Sequence, residues 1–285
     1  MSITTLPTVA AQSVQQLFDL TGRVAIVTGG AGLLGKQFSE ALIEAGASVV
    51  IASRTLENCQ AWASELTAYA ATLPTWRDRD TSSATLALAL DVTDPTSSTE
   101  MVAATLDHFG RVDVLVNNAY ARGVPAPPEA LTPEAWRTWI DAGLSGAFYC
   151  AQAAAKPMLA QGSGSIINIS SMYGVVGTDV RIYPPEVPVN ASAAYGAIKG
   201  GLINLTRTLA VVWAAQGVRV NCISPGGFPA DTINSEFHAG FVNRVPLNRM
   251  GSRNDLKGAL VFLASEAAAY VVGHNLVVDG GWTAW

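Results

Sequence analysis

Tyr195 and Lys199 stand four residues apart in Tyr195-Gly196-Ala197-Ile198-Lys199, so on a helix their side chains share one face. A phenol with a pKa of about 10 is a poor base at neutral pH. A neighbouring ammonium favours the phenolate, lowers that pKa and makes proton exchange with a hydroxyl feasible. Ser171 adds a hydroxyl able to orient the same alcohol or carbonyl oxygen. A second constellation lies in Thr28-Gly29-Gly30-Ala31-Gly32-Leu33-Leu34-Gly35, where Gly30, Gly32 and Gly35 have G-x-G-x-x-G spacing between a strand pattern and a helix pattern. Glycines there permit a tight turn and let backbone N–H groups reach a pyrophosphate at the helix N-terminus. Gly29, Gly32, Leu33, Leu34 and Gly35 are therefore expected against a dinucleotide. The second strand ends in Ala52-Ser53-Arg54, without the carboxylate that would bond the ribose 2′-hydroxyl of NAD. Ser53 offers a hydroxyl and Arg54 a guanidinium that can pair bidentately with a 2′-phosphate, which favours NADP over NAD.

Such residues need a frame. Short apolar runs at Val24–Thr28, Ser48–Ala52, Thr85–Leu90, Val112–Val116, Ser165–Ser170, Val218–Ile223 and Asn275–Val278 lack clean polar alternation, as parallel strands buried on both faces do. Helical patterns lie between them, near Gly35–Ala45, Leu56–Ala70, Ser97–Phe109, Pro133–Leu159, Ser192–Ala215 and Asn254–Ala264. The alternation predicts an α/β chain: a single Rossmann-fold domain whose doubly wound, seven-stranded parallel sheet is flanked by helices. No repeat or linker divides it; residues 1–20 read as a polar extension and 21–285 as the domain. Two irregular stretches, Gly177–Asn190 and Gly226–Arg249, each follow a strand, which puts both at the carboxyl edge where ligands bind.

Composition excludes other classes. The 285 residues are 49% hydrophobic and 14% charged, which rules out a disordered chain. With a net charge of -5 and no basic run, a nucleic-acid partner held through phosphates is not expected. Cys59, Cys150 and Cys222 lie far apart and read as buried thiols, and neither they nor the three histidines have metal-ligand spacing. No secretory signal or membrane-length apolar run is present in the sequence, so a cytoplasmic protein without a membrane partner is expected.

Further markers follow in order: Asp91-Val92, Asn117-Asn118-Ala119, Ser171, Tyr195-x-x-x-Lys199, Pro225-Gly226 and Asp279-Gly280-Gly281. With the glycine turn, this ordered set resembles a classical short-chain dehydrogenase/reductase over roughly Leu20 to Trp285. The resemblance implies that Asp91 and Val92 flank the adenine, that Asn117 and Ala119 support the ribose side, and that Pro225 and Gly226 lie by the nicotinamide. It makes Ser171, Tyr195 and Lys199 the catalytic set, with Ser171 bonding the substrate oxygen, Tyr195 exchanging its proton and Lys199 holding the ribose. The implied function is NAD(P)-dependent interconversion of a secondary alcohol and a ketone by a homotetramer or homodimer, its apolar segment Asn275–Trp285 at a subunit interface. A 3-oxoacyl reductase, a same-fold epimerase or lyase, and a catalytically weakened binding protein are the alternatives.

The sequence departs from the family's pattern at several places. Leu33 stands where the turn usually has a glycine, Gly143 where the long central helix has its catalytic asparagine, and Tyr120 where Asn-Asn-Ala is followed by glycine. Ala230 replaces a threonine after Pro225-Gly226, with Thr232 nearby. The stretch from Ser171 to Tyr195 is also long. Tyr120, Tyr173 and Arg181, together with Arg122 and Tyr183, are expected around the cleft mouth, where the cations would suit a polar, sugar-like or anionic substrate.

Overall fold

The computed structural model describes residues 11–120, 126–184, 193–230 and 232–285; Arg122 and the end of the first long loop lie outside them. Seven strands form one all-parallel sheet: β1 Val24–Thr28, β2 Ser48–Ser53, β3 Thr85–Ala89, β4 Val114–Asn117, β5 Gly164–Ile169, β6 Val218–Pro225 and β7 Asn275–Val278. Their order is β3-β2-β1-β4-β5-β6-β7, so the winding reverses between β1 and β4. In a doubly wound sheet a ligand crevice opens at that reversal, beyond the carboxyl ends of the strands.

The helices are α1 Val14–Phe18, α2 Leu33–Glu44, α3 Leu56–Ala70, α4 Pro95–Phe109, α5 Pro133–Ile140, α6 Gly146–Gln161, α7 Ala193–Trp213, α8 Ser235–Val242 and α9 Lys257–Ala264. Alternate residues of a strand face opposite sides of a sheet, and both sides are covered here. Ala25, Val27, Val49 and Ile51 pack with Phe38 and Leu42 of α2, Leu66 of α3 and Leu260 of α9. Val24, Ile26, Val50 and Ala52 pack on the other side with Met101 of α4, Ala151 and Met158 of α6 and Leu209 of α7.

Three features differ from the expected elements. The helix expected over Pro133–Leu159 is interrupted by a π turn, Asp141–Ser145, between α5 and α6. Small residues permit it: a Cβ on Gly143 would lie 2.8 Å from the Ile198 side chain, and one on Gly146 2.8 Å from Val92. The stretch Gly226–Arg249 contains α8, whose N-cap Asn234 accepts hydrogen bonds from the Glu236 and Phe237 backbones. At the C-terminus, Trp282 is buried inside the chain against Phe241, with ring centroids 4.6 Å apart, whereas Trp285 is exposed.

Candidate active site

The cleft begins at the winding reversal. Thr28 ends β1, and its hydroxyl accepts hydrogen bonds from the backbone N–H groups of Asn118 and Ala119, just past β4. Asn118 Nδ2 donates back to the carbonyls of Thr28 and Gly29, at 3.0 and 3.1 Å. Gly29 adopts φ 63° in the left-handed region, and a Cβ there would lie 3.0 Å from Ala119 Cα. Only glycine takes this conformation so close to another backbone without strain. The motif residue that builds the junction is thus Asn118, while Asn117 is buried and donates to the Ala147 carbonyl and Asn168 Oδ1. The doubled asparagine signalled the junction, but not which of the two side chains faces it.

Gly32 caps α2 without a side-chain hydrogen bond, so the first N–H groups of a 12-residue helix point outward without an internal partner. Gly29, Gly32, Leu33 and Leu34 line the cleft there. Gly35 does not; its Cβ would fall on the Gly29 carbonyl, so it serves the packing of helix on turn. An anionic pyrophosphate fits this uncapped helix end, which carries partial positive charge. Ser53, Arg54, Asp91, Val92 and Ala119 complete this half of the cleft. Arg54 is exposed at the rim, and Ser53 Oγ lies 2.9 Å from Cys59 Sγ. The Asp91 carboxyl is held low by the Thr93 hydroxyl and backbone N–H, with a smaller contribution from Arg54.

The other half is built where the segment after β5 meets α7. Ser170 Oγ donates to the Lys199 carbonyl at 2.6 Å, and Gly174 packs so tightly on α7 that a Cβ would lie 2.7 Å from the Lys199 backbone. These contacts set Ser171 against the helix carrying Tyr195 and Lys199, and all three line one cleft of about 1310 Å³. Lys199 is buried and donates from Nζ to the Ile169 carbonyl at 2.8 Å. Its Nζ lies 5.7 Å from the centre of the Tyr195 ring and 5.3 Å from that of Tyr120. Burial lowers the Lys199 pKa from 10.5 to about 8, so the group still carries its charge at neutral pH. Ser171 Oγ accepts from the Tyr173 backbone N–H at 3.1 Å. Tyr120 stacks edge-on against Tyr195 at 5.4 Å, directly on the expected acid/base residue.

Tyr173, Gly226, Ala230 and Thr232 also line the cleft; Pro225 does not. Arg181 corrects the expectation of a cationic mouth. It is not part of the lining, and its Nε and Nη2 donate to Asp179 at 2.8 and 3.0 Å. An acid two residues back in sequence satisfies the guanidinium locally. Tyr183, from the loop after β5, lines the cleft as expected, and the residues that the sequence reading passed over include Phe237 and Phe241 from α8. The i, i+4 aromatic pair on α8 was the available signal.

Comparison with known proteins finds relatives along nearly the whole chain. A family model described as enoyl-(acyl carrier protein) reductase matches residues 30–283. The chain is 37% identical over 270 residues to the cis-4-hydroxycyclohexanecarboxylate dehydrogenase of Sinomonas cyclohexanicum, covering 92% of this chain and 97% of that one. It is 33% identical over 270 residues to the D-threitol dehydrogenase of Mycolicibacterium smegmatis, covering 93% and 95%. Among solved structures, a gluconate 5-dehydrogenase from Burkholderia cenocepacia in complex with NADP and tartrate superposes with a TM-score of 0.81 at 31% identity, covering 96% of this chain and all of that one.

Proposed function

The chain belongs to the classical short-chain dehydrogenase/reductase family and is an NAD(P)-dependent oxidoreductase of CH–OH and C=O groups, and from that premise we propose how its residues divide the work. The observation that carries the reading is the convergence of Ser171, Tyr195 and Lys199 on one cleft beside an uncapped helix end. When bound, the nicotinamide supplies or accepts the hydride. Tyr195 exchanges the proton of the substrate oxygen at its hydroxyl. Lys199 stabilises the phenolate form by its buried charge and holds the cofactor ribose. Ser171 orients the substrate oxygen.

NADP is the preferred cofactor in this reading, supported by Arg54 at the rim where the 2′-phosphate belongs and by the absence of an acid after β2. The substrate is a small oxygenated secondary alcohol or its ketone, as the names of the relatives suggest. No helix among the described residues is long and apolar enough to cross a membrane. A cytoplasmic homotetramer or homodimer completes the proposal.

Purified protein with NADP and candidate alcohols should give a net absorbance change at the nicotinamide band, which an epimerase or lyase would not. Tyr195→Phe should lower that rate about a thousandfold and leave NADP affinity within a factor of about three. A variant that kept its rate would remove Tyr195 from the role assigned.

A further inference from the structure

Beyond Tyr195, several aromatic rings line the cleft, beside Thr138, Asp141, Thr232 and Asn234. Tyr120 lies between Tyr195 and Trp139, at 5.4 and 5.7 Å. On the opposite side the Tyr183 ring lies 4.9 Å from Phe237, and Phe237 lies 6.0 Å from Phe241. Behind them, Trp282 packs on Phe241 and Tyr173. The Asn234 carboxamide oxygen caps α8, and among the described residues lining the cleft the cations are Lys199 and Arg54.

The hydroxyls of Tyr173 and Tyr183 lie 3.4 Å apart, well beyond the usual 2.7–2.8 Å of an O–H···O bond. Two hydroxyls so spaced can both turn toward a third oxygen placed between them. Burial pushes both phenols up, so both remain neutral donors across the working pH range.

We propose that this end of the cleft selects a ring-shaped, sparsely oxygenated secondary alcohol or ketone over an open-chain polyol, with Phe237 packing the ring and the Tyr173–Tyr183 pair binding one further neutral oxygen. Aromatic faces favour the C–H surface of a ring and give no partner to a row of hydroxyls. A ring that packs on Phe237 is therefore bound better than an open chain with a hydroxyl on each carbon. This specificity rests on the oxidoreductase reading above, and it concerns the same site.

The test compares cyclohexanone, 4-hydroxycyclohexanone and an open-chain ketose, with NADPH in reduction assays and with NADP-loaded protein in saturation-transfer NMR. The cyclic ketones should exceed the ketose at least tenfold in kcat/KM, and their ring protons should receive saturation. Phe237→Ala should weaken saturation transfer and lower kcat/KM about tenfold for both cyclic ketones. Tyr183→Phe should lower kcat/KM several-fold for 4-hydroxycyclohexanone while changing cyclohexanone less. A higher kcat/KM for the ketose, or an equal effect of Tyr183→Phe on the two cyclic ketones, would overturn the proposal. Saturation of the ring protons that weakens in Phe237→Ala, without turnover of any compound, would support the cage and sink the oxidoreductase reading. Absence of both saturation and cyclic-ketone turnover would sink the cage.

Discussion

Lys199 is an ammonium in a place where folding alone would disfavour one. Burial lowers its pKa from 10.5 to about 8, so between those values the folded chain binds fewer protons than the unfolded chain. Stability linked to this group therefore rises as pH increases from about 8 to 10.5, and below pH 8 the charged form carries its full cost, roughly 3 kcal/mol. Lys199→Met should accordingly melt higher than the parent protein at pH 7, and the gap should narrow toward pH 10. Thermal melts of both proteins across that range check the sign; a gap independent of pH would show that Lys199 is not destabilised by its charge. Arg54 lies at the other end of the cleft and is exposed, so Arg54→Ala should leave the fold intact. Loss of a charge-assisted contact to phosphate should raise the KM for NADP about tenfold or more, and leave that for NAD nearly unchanged. Steady-state kinetics with both cofactors read this directly. Tyr195 and Lys199 were legible in the sequence because covalent spacing on one helix sets their geometry. Arg181 was misread for the opposite reason: its partner, Asp179, is a local acid, and nothing in residue type distinguishes a paired cation from a free one.

At the scale of elements, function depends on two close approaches that strands and helices alone would not ensure. Gly174 lets the segment after β5 settle on α7, and Ser170 bonds the Lys199 carbonyl across the same junction. Gly174→Ala would place a methyl 2.7 Å from the Lys199 backbone, so the segment bearing Ser171 must move away from the helix bearing Tyr195. Misplacing a catalytic group by a fraction of an ångström is enough to cost rate. The variant should fold and bind NADP, with kcat reduced about tenfold; unchanged kcat would show that the junction tolerates the shift. The second approach is at the π turn. Ile198, one residue before Lys199, occupies the space that a side chain at Gly143 would need, at 2.8 Å. Restoring an asparagine there would overpack the turn unless Ile198 were reduced as well. Lys199 is tied instead to the Ile169 carbonyl. The strand–helix alternation was readable from hydrophobic runs, since all seven expected strands are present. The π turn was not, because a long apolar helical pattern gives no sign of one extra residue in a turn. Beyond its i, i+4 aromatic pair, α8 gave no sign of being a cleft wall, because Phe237 meets Tyr183 only through tertiary packing of distant loops.

For the whole molecule, the location of exposed apolar surface bears on assembly. Of the two C-terminal tryptophans only Trp285 is exposed, since Trp282 is consumed by the aromatic packing behind the cleft. A stronger patch lies elsewhere. Val211 is 78% exposed and Val212 56% at the end of α7, and Tyr270 is fully exposed with Val272 close by in sequence. The two stretches are adjacent in space, because a Cβ on Gly273 would lie 3.5 Å from the Ala210 side chain. Apolar residues clustered in this way are uncommon on a monomer's free surface and suit a self-complementary contact about a two-fold axis. Sedimentation velocity at micromolar concentration should therefore give a dimer or tetramer. Val211→Asp with Tyr270→Asp should shift it to a smaller species, because desolvating two carboxylates in such a contact is costly. Neither residue lines the cleft, so activity per chain in the dissociated form measures how far the site depends on its neighbours. A monomeric mass for the parent protein would remove the patch from any role in assembly.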